Sequence, residues 1–354
     1  MTGTLPFPVL QALVGDEEVG ALFSNEAELS AMLWVEAALA EAEAKVGLIG
    51  EEAASRIGEA CHAFQADWSK LAEGLARDGV IVPEFVRQLR AAIGEPHAKS
   101  AHLGATSQDI IDTALILRLK SVIELLDQRL DTLIHSLDGL SRRDGAVRLM
   151  AHTRMQQALP FTAADKIDTW IQPLERHRAS LQALAPRLLV IQLGGPVGTR
   201  SELKGHGDAV ADALAEILGL GLAPSWHSQR DRIGEFGSFL SLLTGTLGKI
   251  GQDIALMAQN EVGEVKLATG GVSSAMPHKS NPVPAEVLVT LARFNAGMLG
   301  ILHQALVHES ERSGAAWTLE WMVLPQMVVT SAAALSRAQS LAAGLSFVPS
   351  KTDL

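Results

Sequence analysis

Two seams of apolar residues, each longer than an ordinary helix, constrain this chain more than anything else in it. Ile233, Phe236, Leu240, Leu243, Leu247, Ile250, Ile254 and Met257 follow one another at alternating steps of three and four, the heptad spacing of helices that cross at shallow angles. Ile111, Leu115, Leu119, Val122, Leu126, Leu130, Leu133, Leu137 and Leu140 form the other seam. Asp109 is placed to cap that helix, which would run roughly 45 Å at 1.5 Å per residue. Gly234, Gly237, Gly245, Gly248 and Gly251 lie along the heptad seam. Each costs helix propensity, so their presence predicts close approach of a neighbouring helix. Helical periodicity also covers Lys166 to Leu184 with a kink at Pro173, Val287 to Val307, and Leu319 to Leu341 with an interruption near Pro325.

Five long helical stretches make the fold class all-α, a long-helix bundle. Before Asp109 the helices are shorter: an acidic amphipathic one from about Glu26 to Val46, ended by Gly47, and another beginning near Pro83. Residues 1–108 are expected to form a smaller N-terminal helical domain, and residues 109–354 the bundle. Only Leu188 to Thr199, with its Gly194-Gly195-Pro196-Val197-Gly198 turn, hints at extended structure. Those glycines lack the spacing and the strand–helix alternation of a dinucleotide fold.

With 354 residues, 47% of them apolar, a large core is within reach. A net charge of −11 argues against a nucleic-acid surface, which would need clustered Lys and Arg. Cys61 is the only cysteine, which excludes an internal disulfide and a thiolate metal cluster. His303 and His308, five apart, would not share a helix face, and no metal or other cofactor is expected. No window offers roughly 18 apolar residues free of charge and proline, so no membrane span is expected. The most apolar stretch, Trp321 to Leu335, contains Pro325 and Gln326. The first residues carry no basic start followed by an apolar block, which makes a cytoplasmic location the default.

Three strings carry chemistry. Gly270 to Pro282 puts Ser273 and Ser274 on a loop hinged by Gly270 and Gly271, with Lys279 and Asn281 just past Pro277. A serine can exchange a proton at a carbon next to a carboxylate when nearby donors stabilise its alkoxide and the enediolate-like carbanion. Lys279 and Asn281 are donors of that kind, though a polar surface loop accounts for the same composition. His102 to Asp109 precedes the long seam, where free backbone amides and the helix dipole favour an anion; Thr106 and Ser107 add hydroxyls. Simple capping by Ser107 or Asp109 explains that string equally well. In the third string, His152 to Pro160, Arg154 is suited to clamp a carboxylate with two parallel hydrogen bonds.

The loop closely resembles the signature Ser-Ser-x-Met-Pro-x-Lys-x-Asn-Pro of the fumarase/aspartase superfamily, matching at Ser273, Ser274, Met276, Pro277, Lys279, Asn281 and Pro282. His102 to Asp109 is similar to that superfamily's first conserved region, His-x-Gly-x-Thr-Ser-x-Asp. His152 to Pro160 is similar to its second, Arg-Thr-His-x-Gln-His-Ala-x-Pro, through Thr153, Gln156, Ala158 and Pro160. Arg154 and Gln157 stand where succinate-forming lyases often carry histidines that donate the leaving-group proton. An amide cannot do that, and an arginine holds its proton too tightly. Lactone formation, whose reverse expels a carboxylate, needs no such acid. The chain accordingly resembles the 3-carboxy-cis,cis-muconate cycloisomerase branch, with further likeness over Trp226 to Asp231 and Glu311 to Trp321. A sulfonated muconate would suit the same cationic residues. Two rivals stand beside this reading: a fumarate-forming C–N lyase acting on adenylosuccinate or argininosuccinate, and a catalytically silent helical scaffold.

The resemblance implies that Ser273 protonates carbon and that Lys279 and Asn281 hold the adjacent carboxylate. It implies that Thr106, Ser107, Thr153, Arg154, Gln156, Ser274 and Arg312 grip the rest of a small polycarboxylate substrate. His102 stays among the catalytic candidates, to orient a ligand or assist proton traffic, with a packed hydrogen-bonded histidine as the alternative. The resemblance also implies a homotetramer whose sites collect residues from three subunits. Many relatives continue into a third small helical domain, which a sequence stopping at Leu354 would lack or truncate.

Overall fold

The computed structural model describes residues 8–268, 270–272, 276 and 280–351. Five long helices, Ser107–Asp144, Ala163–Leu188, Asp231–Met257, Val283–Gln304 and Ala315–Gly344, form the bundle and bury both predicted seams, all but Ile111, in one apolar core. The first spans 38 residues, roughly 57 Å at 1.5 Å per residue. Shorter helices, Asn25–Lys45, Glu51–His62, Trp68–Asp78 and Val82–Ile93, pack with Gly207–Leu218 and the first turns of the Ser107 helix around another core.

The glycine argument holds at four of its five positions. A methyl group added at Gly251 would lie 2.5 Å from the Ala285 carbonyl oxygen and one at Gly234 would lie 3.0 Å from the Leu306 side chain. Gly237 and Gly248 likewise abut Leu302 and Ala292, whereas Gly245 meets nothing. These contacts make the Asp231 and Val283 helices antiparallel. The Ala315 helix runs unbroken through Pro325, against expectation. Val323, Leu324, Met327 and Val328 are buried on both sides of it, and that packing outweighs the roughly 3 kcal/mol that proline costs a helix interior.

The expected extended region is mostly irregular, with one isolated bridge from Val190 to Gly221. The longest strands lie elsewhere, in the antiparallel hairpin Arg148–Thr153 and Gln156–Thr162. Its two-residue turn puts Arg154 and Met155 at φ of 48° and 66°. Both central residues of such a turn need positive φ, which glycine or asparagine usually supplies. Neither is present, so the sequence carried no hairpin signal.

The Val283 helix, not the stretch around Trp321, is the one helix among the described residues long and apolar enough to cross a membrane, with mean hydropathy 1.4 over its best window. Glu286 and Arg293 interrupt it, and one face packs on the Asp231 helix through Ala285, Leu288 and Ala292. A third of that window is buried.

Candidate functional site

The chemistry-bearing residues sort to opposite ends of the bundle. At one end Thr106, rather than Ser107 or Asp109, is the N-cap of the Ser107 helix. Asp109 sits three residues on, fully buried, and gathers the surrounding loops. Its Oδ2 accepts the Thr106 and Gly195 N–H groups, both at 2.9 Å. Its Oδ1 accepts Gly194 N–H at 2.8 Å, His227 Nε2 at 2.8 Å and Gln192 Nε2 at 3.1 Å. The glycine turn thus serves as a clamp on Asp109, and a side chain at Gly194 would collide with Ser225 and His227.

Arg312 reaches the same place from far along the sequence. Ser313 is buried, and its hydroxyl accepts the Ala316 N–H at the start of the Ala315 helix. That contact fixes the chain at Arg312, whose Nη1 donates to Thr106 Oγ1 at 2.5 Å. Ser107 is half-buried beside them as the first helical residue. His102, at φ 61°, joins Glu36 of the Asn25 helix through Nδ1 at 2.6 Å. Burial works against its positive charge, but Glu36 outweighs burial and raises its pKa above the usual 6.5.

Beneath this end lies a buried ionic knot. Arg230 donates to Asp112 at 2.6 and 3.1 Å and to Glu320 at 3.0 and 2.5 Å. Trp317 Nε1 donates to Asp112 at 3.1 Å, and Arg230 lies 4.6 Å over the Trp226 ring. Burial opposes the guanidinium charge, yet the two carboxylates raise the Arg230 pKa. Burial raises that of Glu320, the surplus acid. The knot locks the Ser107, Asp231 and Ala315 helices together where the His102, Thr106 and Arg312 chain segments converge.

At the opposite end Thr153, Arg154 and Gln156 sit exposed at the hairpin tip, with Thr153 paired to Gln156. The first hairpin strand is tied to the segment after the Asp231 helix by Met150 N–H donating to Glu264 Oε1 at 2.8 Å, and Glu264 N–H in turn donates to the Met257 carbonyl. Between them is a cavity of about 350 Å³ bordered by His152, Arg154, Lys166, Asp253 and Glu264. Asn281 is half-buried and pairs with Gly271 in a short ladder that closes the base of the loop. Gly270 and Gly271 face Ser280 and Val283 so closely that a side chain at either would collide. Ser273, Ser274 and Lys279 lie outside the described residues.

One chain therefore brings His102, Thr106, Ser107 and Arg312 to one end, and Thr153, Arg154, Gln156 and Asn281 to the other. The Ser107 helix alone separates Thr106 from the hairpin by roughly 55 Å. No hydrogen bond or ion pair among the described residues joins the two sets. No group of three or more His, Cys, Asp and Glu among those residues is arranged to hold a metal ion. Reading the sequence missed Asp109 as a hub and Glu36 as the partner of His102. His227 lay in a string that drew notice, while nothing local singles out Glu36.

Residues 15–295 match the model of a lyase family. The chain belongs to that family. This lyase is 42% identical over 332 residues to a 3-carboxy-cis,cis-muconate cycloisomerase of Pseudomonas aeruginosa, an alignment covering 92% of this chain and 72% of the relative. Its fold matches the crystal structure of the 3-carboxy-cis,cis-muconate lactonizing enzyme from Pseudomonas putida with a TM-score of 0.91 and 40% identity, over 97% of this chain and 78% of that one. A trans-aconitate decarboxylase of Mycosarcoma maydis is 35% identical to the lyase over 345 residues, 96% of this chain and 70% of the relative.

Proposed function

We propose that this lyase is a cofactor-independent 3-carboxy-cis,cis-muconate cycloisomerase of aromatic breakdown, acting as a cytoplasmic homotetramer. One carboxylate of the substrate adds across the conjugated double bond, closing the lactone ring. The enediolate formed on the neighbouring carboxylate then takes a proton on carbon, so the reaction is an isomerisation. Nucleophile and alkene belong to one molecule, which leaves the protein to fold it, stabilise negative charge and deliver the proton. In this reading Ser273 supplies the proton, Lys279 and Asn281 hold the carboxylate beside the carbon, and Arg154 and Arg312 anchor the others, with Thr106, Ser107, Thr153, Gln156 and Ser274 as further donors.

The likeness to cycloisomerases along nearly the whole chain carries the reading, and Arg154 at the hairpin tip agrees with it. A guanidinium there clamps a carboxylate but cannot protonate a departing amine. Separation of the site residues to opposite ends supports composite sites, since chains packed side by side in opposite directions bring unlike ends together. The Val283 helix, apolar yet only a third buried over its best window, offers a surface for such packing.

The test is loss of diene absorbance on mixing the protein with 3-carboxy-cis,cis-muconate, with adenylosuccinate and trans-aconitate run in parallel. Turnover of muconate alone, lowered by orders of magnitude in Ser273→Ala at an almost unchanged melting temperature, is the expected result. Turnover of either other substrate alone refutes the assignment, and full activity of the variant removes serine from the mechanism.

A further inference from the structure

The N-terminal helices bury acidic groups that the reaction outlined above does not use. Glu36 and Glu43 lie on the same face of the Asn25–Lys45 helix, 1% and 0% exposed. Among the described residues neither oxygen of Glu43 has a hydrogen-bond partner, and Glu36 Oε2 has none. Burial, and then the charge of Glu36, push the Glu43 carboxyl up to about 9 and the buried Cys61 thiol up to about 12. Both groups therefore stay neutral at pH 7.

Glu36 has one basic partner among the described residues. Glu36 Oε1 meets His102 Nδ1 at 2.6 Å, across 66 residues of sequence. Asp109 adds attraction for a positive imidazole, while Arg90 opposes it. The contact fixes the ring from its Nδ1 side, and no described residue hydrogen-bonds Nε2. His102 holds an uncommon left-handed backbone conformation at φ 61°, which the surrounding contacts must maintain. Four residues on, Thr106 receives Arg312.

We propose that Glu36 is a positioning residue for His102: it grips Nδ1 and favours the protonated ring, in which Nε2–H serves as a donor to a substrate carboxylate at the Thr106 and Arg312 end of the site. His102 then binds substrate and does not act as a base. This inference rests on the polycarboxylate reading of the site.

Histidine titration by NMR on 15N-histidine-labelled protein, with the His102 signal assigned by its loss in His102→Gln, tests the pair without substrate. The expected pKa of His102 lies above 6.5 in the wild type and falls by at least one unit in Glu36→Gln. Kinetics with 3-carboxy-cis,cis-muconate should show KM raised tenfold or more in that variant with kcat changed less than threefold. The loss should deepen as pH rises from 6 to 8, and Glu36→Asp should restore part of the affinity. A wild-type His102 pKa below 6.5 overturns the proposal even if the variants fail to fold. So does a Glu36→Gln protein whose melting temperature falls while KM and its pH dependence stay put. If muconate is not turned over at all, the assigned reaction fails, while the titration still decides whether Glu36 holds His102 charged.

Discussion

Replacing Asp109 with asparagine isolates what its carboxylate does. The side chain is 1% exposed and accepts N–H groups from Thr106, Gly194, Gly195, Gln192 and His227. Asparagine keeps the shape but offers one acceptor oxygen and an NH2 group. With its oxygen in the place of Oδ1, the NH2 faces the backbone N–H groups of Thr106 and Gly195, and two buried donors lose their acceptor. Each orphaned donor costs about 1–3 kcal/mol, so Asp109→Asn should destabilise by roughly 2–6 kcal/mol, a large share of the ~5–15 kcal/mol that holds a typical protein folded. Urea unfolding at constant slope reads the change as a lower midpoint. The control is Asp208→Asn, since Asp208 is 96% exposed where it meets Arg200, and such pairs contribute at most about 1 kcal/mol. A loss below about 1 kcal/mol in Asp109→Asn, or equal losses in both variants, refutes the hub.

Glu43 gives a pH test. With its carboxyl near 9 in the folded protein against an ordinary 4.5, the folded state keeps a proton that the unfolded state has released. Stability should therefore fall by about 1.4 kcal/mol per pH unit as pH rises between those values. Glu43→Gln should remove that slope and add ~3 kcal/mol at pH 7; denaturation midpoints from pH 5 to 8 that keep the wild-type slope would count against it. Composite sites predict complementation: Arg154→Ala and Arg312→Ala, each nearly inactive alone, should recover roughly a quarter of wild-type activity when unfolded and refolded together as equal mixtures. No recovery in verified mixed oligomers would mean that one chain supplies both arginines.

Much of the bundle was legible because its information is local and periodic. The seams from Ile111 to Leu140 and from Ile233 to Met257 are buried as their spacing requires, since a helix repeats every 3.6 residues whatever it packs against. Glycines at 237, 248 and 251 announced a close neighbour, although only the structure identifies it as the Val283 helix, with Gly234 meeting Leu306 just past its end. The hairpin was not legible, because Arg154 and Met155 adopt positive φ without a glycine or asparagine to signal it. Pro325 misled for the opposite reason: burial on both sides overrode a local helix breaker.

The sequence by itself determined the helical class, the long seams and the three polar strings, because composition, periodicity and motif spacing are properties of neighbouring residues. Tertiary structure alone decided that Arg312 meets Thr106 across 206 residues, that Glu36 meets His102 across 66, and that the hairpin tip stands at the far end from both. Contacts of that kind depend on where rigid helices begin and end and which way they run. A helix roughly 57 Å long carries neighbouring strings to opposite ends of the molecule while its antiparallel partners bring distant ones together.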